Sequence, residues 1–125
     1  MYRIIVVTHG NLASALIETS RMIVGEQKEL YGIELREGES VESLKEEIEP
    51  LLGGESLILT DLFGASPTNV SMKFMGQNTE VVTGVNLPML LEILTNRGSL
   101  GDGAKTALSS GRDSIKRLRD LLSRC

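Results

Sequence analysis

Two residues of this chain have the types and the placement to do chemistry together: His9, the sole histidine, and Asp61. Each closes an apolar run, Ile4-Ile5-Val6-Val7-Thr8 before the histidine and Ser56-Leu57-Ile58-Leu59-Thr60 before the aspartate. Consecutive Ile, Val and Leu without polar alternation read as strands covered on both faces, as in a parallel sheet. Open α/β sheets bind ligands at the C-terminal ends of their strands, so both side chains are expected on the functional lip. A neutral imidazole placed there can attack through one ring nitrogen while the other keeps its hydrogen. A carboxylate bonded to that N–H fixes the tautomer and stabilises the charge that builds on the ring.

Three helix starts are expected around this pair, at Asn11, at Ser66-Pro67-Thr68 and at Asn86-Leu87-Pro88. Unpaired amides and the dipole at a helix start favour an anion. A nucleophilic imidazole, an orienting carboxylate and anion-binding helix ends together suit the carriage of a phosphoryl group. On this reading His9 is the nucleophile and Asp61 orients it. Ser66, Thr68 and nearby amides such as that of Gly10 hold phosphate oxygens, Phe63 anchors a loop covering the site, and Asn86 lines it. No metal and no cofactor is called for. Each residue also has a structural reading, as a hydrogen-bonded histidine, a turn aspartate or helix and strand punctuation. The functional reading rests on the unusual residues falling at successive strand ends.

The elements that must position these groups follow from periodicity. Strands are expected at residues 4–9, Leu30–Leu35, Ser56–Thr60 and Thr79–Thr83. A helix over Leu12–Val24, capped by Asn11 and stopped by Gly25, would turn Leu12, Ala15, Leu16, Thr19, Met22 and Ile23 to the core. Ser40 opens a second helix with Val41, Leu44, Ile48, Leu51 and Leu52 as its stripe. Ser66 caps a third, running to about Met75, with Pro67 in its first turn. The helix opened by Asn86 buries Met89, Leu90, Ile93 and Leu94. Residues 98–103, with Gly98, Gly101 and Gly103, read as a loop, residues 104–108 as a short helix and residues 115–122 as a last amphipathic helix. The alternation predicts a doubly wound α/β domain over residues 1–125, with a mainly parallel four-stranded sheet in the order 2-1-3-4 and helices on both faces.

Composition narrows the function further. With 41% hydrophobic and 24% charged residues the 125-residue chain is an ordinary globular domain, and 3% aromatic content without tryptophan leaves packing to aliphatic side chains. A net charge of −4 argues against a general nucleic-acid binder. The basic residues Arg112, Lys116, Arg117, Arg119 and Arg124 read as the solvated end of a last helix. A lone terminal Cys125 excludes a disulfide framework and suits a reducing cytoplasm. No apolar run approaches the roughly 20 residues that span a bilayer, and no secretory leader is expected.

The stretches T-H-G-N-L-A at residues 8–13, T-D-L-F-G-A-S-P-T-N at 60–69 and T-G-V-N-L-P-M-L at 83–90 closely resemble the mannose-family enzyme IIA components of the bacterial sugar phosphotransferase system. Gly111-Arg112-Asp113 fits the C-terminal part of that family, and the match is colinear over nearly the whole chain. The resemblance implies a cytoplasmic phosphoryl carrier that accepts phosphate from the phosphocarrier protein HPr. It passes the phosphate to a IIB partner, which phosphorylates sugar entering through membrane IIC and IID subunits. On the same basis His9 is the phosphorylated histidine, Asp61 its orienting aspartate and Ser66 the serine of the Ser-Pro turn. The family is homodimeric, with an antiparallel edge strand near the C-terminus that can be exchanged between subunits. The chain departs from many relatives in having Gly64-Ala65 where they have two glycines.

Histidine phosphatases also end a first strand in His-Gly, but they need a preceding arginine and a second histidine, and here Thr8 precedes His9. A receiver domain would carry acidic residues after the first strand. Two alternatives stay open: the phosphoryl-donor subunit of dihydroxyacetone kinase, and a regulatory module in which phosphorylated His9 reports sugar flux to a partner.

Overall fold

The computed structural model describes residues 1–122 of the chain. Four parallel strands, β1 (Arg3–His9), β2 (Leu30–Leu35), β3 (Ser56–Thr60) and β4 (Thr79–Thr83), form one sheet in the order β2-β1-β3-β4. This is the expected doubly wound α/β topology, and every pairing is parallel. β1 lies in the middle, between β2 and β3, and it is apolar on both sides because both sides are covered. Ile4 and Val6 pack on one face with Leu57, Leu59, Leu90, Ile93 and Ala107. Ile5 and Val7 pack on the other with Ile58, Leu44, Ile48 and Val70.

The helices are α1 (Leu12–Val24), α2 (Val41–Ile48), α3 (Ser66–Met72), α4 (Leu87–Thr95), α5 (Leu100–Asp113) and α6 (Leu118–Leu122), and all but α6 bury residues in the core. The core of α4 is the expected set, Met89, Leu90, Ile93 and Leu94. α2 ends at Ile48 and gives way to a 3-10 turn over Glu49–Leu51, where Pro50 cannot donate the next helical hydrogen bond. α3 stops at Met72 rather than near Met75.

The inward face of α1 differs from the one periodicity suggests. Ala13 and Ser20 are buried against the sheet, with Leu16 and Val24 beside them, whereas Leu12, Met22 and Ile23 are exposed. The reason is close approach. A Cβ on Gly32 of β2 would lie 2.9 Å from Ile17 Cδ1 and 3.5 Å from Ala13 Cβ, so the helix meets the strand through Ala13 and the tip of Ile17 at a glycine that leaves room for both.

The C-terminal third holds the other difference. Helix α5 begins at Leu100, inside the stretch expected to be a loop, and runs through the glycines to Asp113. Ser99 caps it, its side chain accepting from the Asp102 N–H at 3.2 Å. Gly103 serves packing: a Cβ there would stand 2.3 Å from Tyr2 Oη. Gly111 likewise seats α5 on α4, since a Cβ would meet Met89 Cε at 2.7 Å. Among the described residues there is no antiparallel edge strand. Residues 118–122 form α6 instead, while Arg124 and Cys125 lie outside the described residues. No described helix is long and apolar enough to cross a membrane.

Candidate functional site

Because β1 and β3 are neighbours, their ends bring His9 and Asp61 together at the sheet's C-terminal lip. Asp61 Oδ2 accepts the backbone N–H of His9 at 2.9 Å and lies 2.9 Å from His9 Nδ1. The side chain of Asp61 is 13% exposed and that of His9 46%. The carboxylate is therefore shielded and the ring open. With its hydrogen on Nδ1 donated to Asp61, the ring presents Nε2 as the nitrogen able to attack. The other carboxylate oxygen, Asp61 Oδ1, is buried without a hydrogen-bond partner among the described residues, so Oδ2 carries both bonds.

The helix starts around this pair are occupied to different degrees. At α1 three amides are already paired: Gly10 N donates to the Leu35 carbonyl at 3.0 Å, Ala13 N to Thr8 Oγ1 at 2.9 Å and Ser14 N to Glu34 Oε2 at 2.9 Å. Asn11 holds the cap position but makes no side-chain cap bond. The Gly10 N–H is thus spent on Leu35, and Gly10 adopts a left-handed backbone, φ +56°. At α4 the Asn86 side chain caps the helix, accepting from Met89 N at 3.0 Å, and its amide reaches the Gly111 carbonyl at 3.3 Å. Asn86 is thus committed to joining α4 and α5.

The α3 start is the open one. Ala65, not Ser66, is its cap residue, no side chain caps it, and Ser66 stands half-buried at the first helical position with Pro67 after it. Thr68 is 2% exposed. Its hydroxyl donates to the Leu62 carbonyl at 2.7 Å and lies 2.7 Å from Thr60 Oγ1, which must then donate to it. That hydroxyl is spent on holding the 61–65 loop to β3 and is not available to a phosphate. Phe63, on the same loop, is 79% exposed and is not part of the described core.

His9 also borders a cleft of about 420 Å³, whose other walls are Gly10, Leu35 and the turn of residues 36–39. Two residues that matter here went unnoticed in the sequence, Glu34 and Arg36. Glu34 is 8% exposed and its carboxylate bridges the α1 start to Arg36, whose Nη2 lies 3.2 Å from Glu34 Oε1. Burial pulls the Glu34 carboxyl up, but the hydrogen bonds from Ser14 and the charge of Arg36 outweigh it, leaving the group below its ordinary value. The available signal was a carboxylate inside the otherwise uncharged strand Leu30-Tyr31-Gly32-Ile33-Glu34-Leu35.

Comparison with known proteins points in one direction. The family model EIIA-man, described as PTS system fructose IIA component, matches residues 3–108. The PTS system fructose-specific EIIA component of Bacillus subtilis (strain 168) is 36% identical over 107 residues, covering 80% of this chain and 73% of that protein. The PTS system mannose-specific EIIAB component of Escherichia coli (strain K12) is 33% identical over 126 residues, covering 93% of this chain but 39% of that longer protein. Among solved structures, a phosphotransferase system component EIIA from Streptococcus agalactiae superposes with a TM-score of 0.88 at 28% identity, covering 100% of both chains. A mannose/sorbose specific IIA subunit from Enterococcus faecalis gives 0.87 at 25% identity over 93% of each chain.

Proposed function

The chain belongs to the EIIA-man family of phosphotransferase-system IIA components, and on that premise we propose that it is a phosphoryl carrier of a sugar phosphotransferase system. It takes phosphate from HPr on His9 and passes it to a IIB domain, which serves sugar entering through IIC and IID subunits. On this reading it is a phosphotransferase that works in the cytoplasm as a homodimer. The outer edge of β4, which pairs with no further strand among the described residues and lies beside a groove lined by Val82, Ala104 and Leu108, supports the homodimer.

The observation that carries the proposal is the 2.9 Å contact between His9 Nδ1 and Asp61 Oδ2. It supports an attacking role for Nε2. In the transfer, Nε2 forms a bond to phosphorus while the donor–phosphorus bond breaks and its electron pair leaves with the donor. No proton has to leave His9, because the Nδ1 hydrogen stays shared with Asp61. The ring then carries positive charge, which the adjacent carboxylate offsets. Passing the phosphoryl group onward breaks the Nε2–phosphorus bond and returns its electron pair to the ring. Such chemistry depends on positioning and charge more than on covalent assistance from the protein. Ser66 and the uncapped start of α3 offer contacts for the phosphoryl oxygens.

The test is incubation with phosphoenolpyruvate, enzyme I and HPr. Acid-labile, alkali-stable phosphate on the wild-type chain and none on a His9→Gln variant is the expected outcome. Label that then leaves for an added IIB protein separates a carrier from a reporter, which would keep it.

A further inference from the structure

We propose that Arg36 neutralises the phosphoryl group on His9, exchanging a loose contact with Glu39 for the phosphoryl oxygens when that group arrives. The inference rests on the carrier reading of His9. A phosphoryl group brings a charge of about −2 to a site that already holds the Asp61 carboxylate. Three of the amides that follow His9 are already committed, those of Gly10, Ala13 and Ser14 donating to Leu35, Thr8 and Glu34. Of the charged residues on the turn that walls the cleft, Glu37 and Glu39 are acidic and Arg36 is the cation.

Its placement is direct. His9 pairs with Leu35 across β1 and β2, so Arg36 is the next residue along from the neighbour of the histidine. Its side chain is 66% exposed and its guanidinium is unevenly held. Nη2 is tied to Glu34 at 3.2 Å, and Glu34 is itself fixed by Ser14 N, whereas Nη1 stands 3.9 Å from Glu39 Oε1, beyond hydrogen-bond length. One arm of the fork is anchored and the other can turn to a new acceptor. The turn's backbone does not depend on that second arm: Glu39 N donates to the Arg36 carbonyl at 3.0 Å, and Arg36 N to Glu39 Oε1 at 2.8 Å. A planar guanidinium with free N–H groups matches phosphoryl oxygens in both charge and geometry.

The experiment compares wild type, Arg36→Gln, Arg36→Lys and Glu39→Gln after labelling through phosphoenolpyruvate, enzyme I and HPr. It reads the half-life of the isolated phosphorylated protein and the equilibrium of phosphate between it and HPr. Loss of a charge-assisted contact in Arg36→Gln should shorten the half-life and shift the equilibrium toward HPr by about tenfold, with Arg36→Lys recovering part of both. Glu39→Gln keeps the acceptor for Arg36 N but removes the competing charge, so it should move both readings the opposite way. Shifts of the same sign in Arg36→Gln and Glu39→Gln, as damage to the turn would give, overturn the proposal, and so do unchanged readings in a labelled Arg36→Gln. A wild type that takes no label on His9 overturns the carrier reading and the role of Arg36 with it.

Discussion

Asp61 Oδ2 takes two hydrogen bonds from one residue, since the ring Nδ1 and the backbone N–H of His9 both lie 2.9 Å from it. The carboxylate thus fixes where β1 ends as well as how the imbidazole ring of its last residue is turned. Asp61→Ala should slow labelling of His9 by roughly 10- to 100-fold, the usual cost of removing a group that orients a functional histidine. Circular dichroism should show the fold intact, and unchanged transfer kinetics would take Asp61 out of the mechanism.

Thr68 is predicted to act on the loop and not on the phosphate. Thr68→Val deletes a buried hydroxyl bonded to Leu62 and Thr60 and should lower unfolding stability by about 1–3 kcal/mol, because the Leu62 carbonyl and the Thr60 hydroxyl lose their partner. Urea unfolding measures the loss. If stability is unchanged while phosphate uptake falls sharply, the hydroxyl faces the phosphate after all.

Glu34 sets a pH dependence whose sign follows from its lowered folded-state value. A depressed carboxylate contributes stability that is present above the unfolded-chain value of about 4.3 and lost as the pH falls through the lower folded value. The stability difference between wild type and Glu34→Gln should therefore be largest near neutrality and shrink through the acid range. A difference that is flat with pH, in parallel denaturant titrations, would contradict the role given to the Ser14 and Arg36 contacts.

Gly103→Ala should be strongly destabilising, because the new Cβ would lie 2.3 Å from Tyr2 Oη and 2.7 Å from Cζ, and Tyr2 is 1% exposed with nowhere to move. Overpacking of this kind costs about 1–3 kcal/mol, read as a lower melting temperature. Tyr2 Oη is buried without a hydrogen-bond partner among the described residues, so Tyr2→Phe on its own should leave stability unchanged or raise it, and in the double variant it should recover part of the Gly103→Ala loss.

Much of this was legible before the fold was known, for identifiable reasons. The centres of β1 and β3, residues 4–7 and 57–59, are unbroken aliphatic runs, and a parallel, doubly covered sheet is the arrangement that needs such runs, so the meeting of His9 with Asp61 followed from topology. The inward face of α1 departs from its apolar spacing because Gly32 lets the helix approach the strand at Ala13 and Ile17, a contact between elements that helical periodicity does not register. The start of α5 was hidden because Gly101 and Gly103 resemble loop residues until Tyr2 supplies the reason for Gly103. The closure of the α1 start by Glu34 and the commitment of Thr68 to Thr60 are contacts between elements. Local spacing carries no trace of either.

The account stands or falls on His9. Wild-type protein and His9→Gln, incubated side by side with labelled phosphoenolpyruvate, enzyme I and HPr, should differ completely: acid-labile, alkali-stable phosphate on the first, none on the second. Label retained by His9→Gln, or a folded wild type that takes up none, would contradict it.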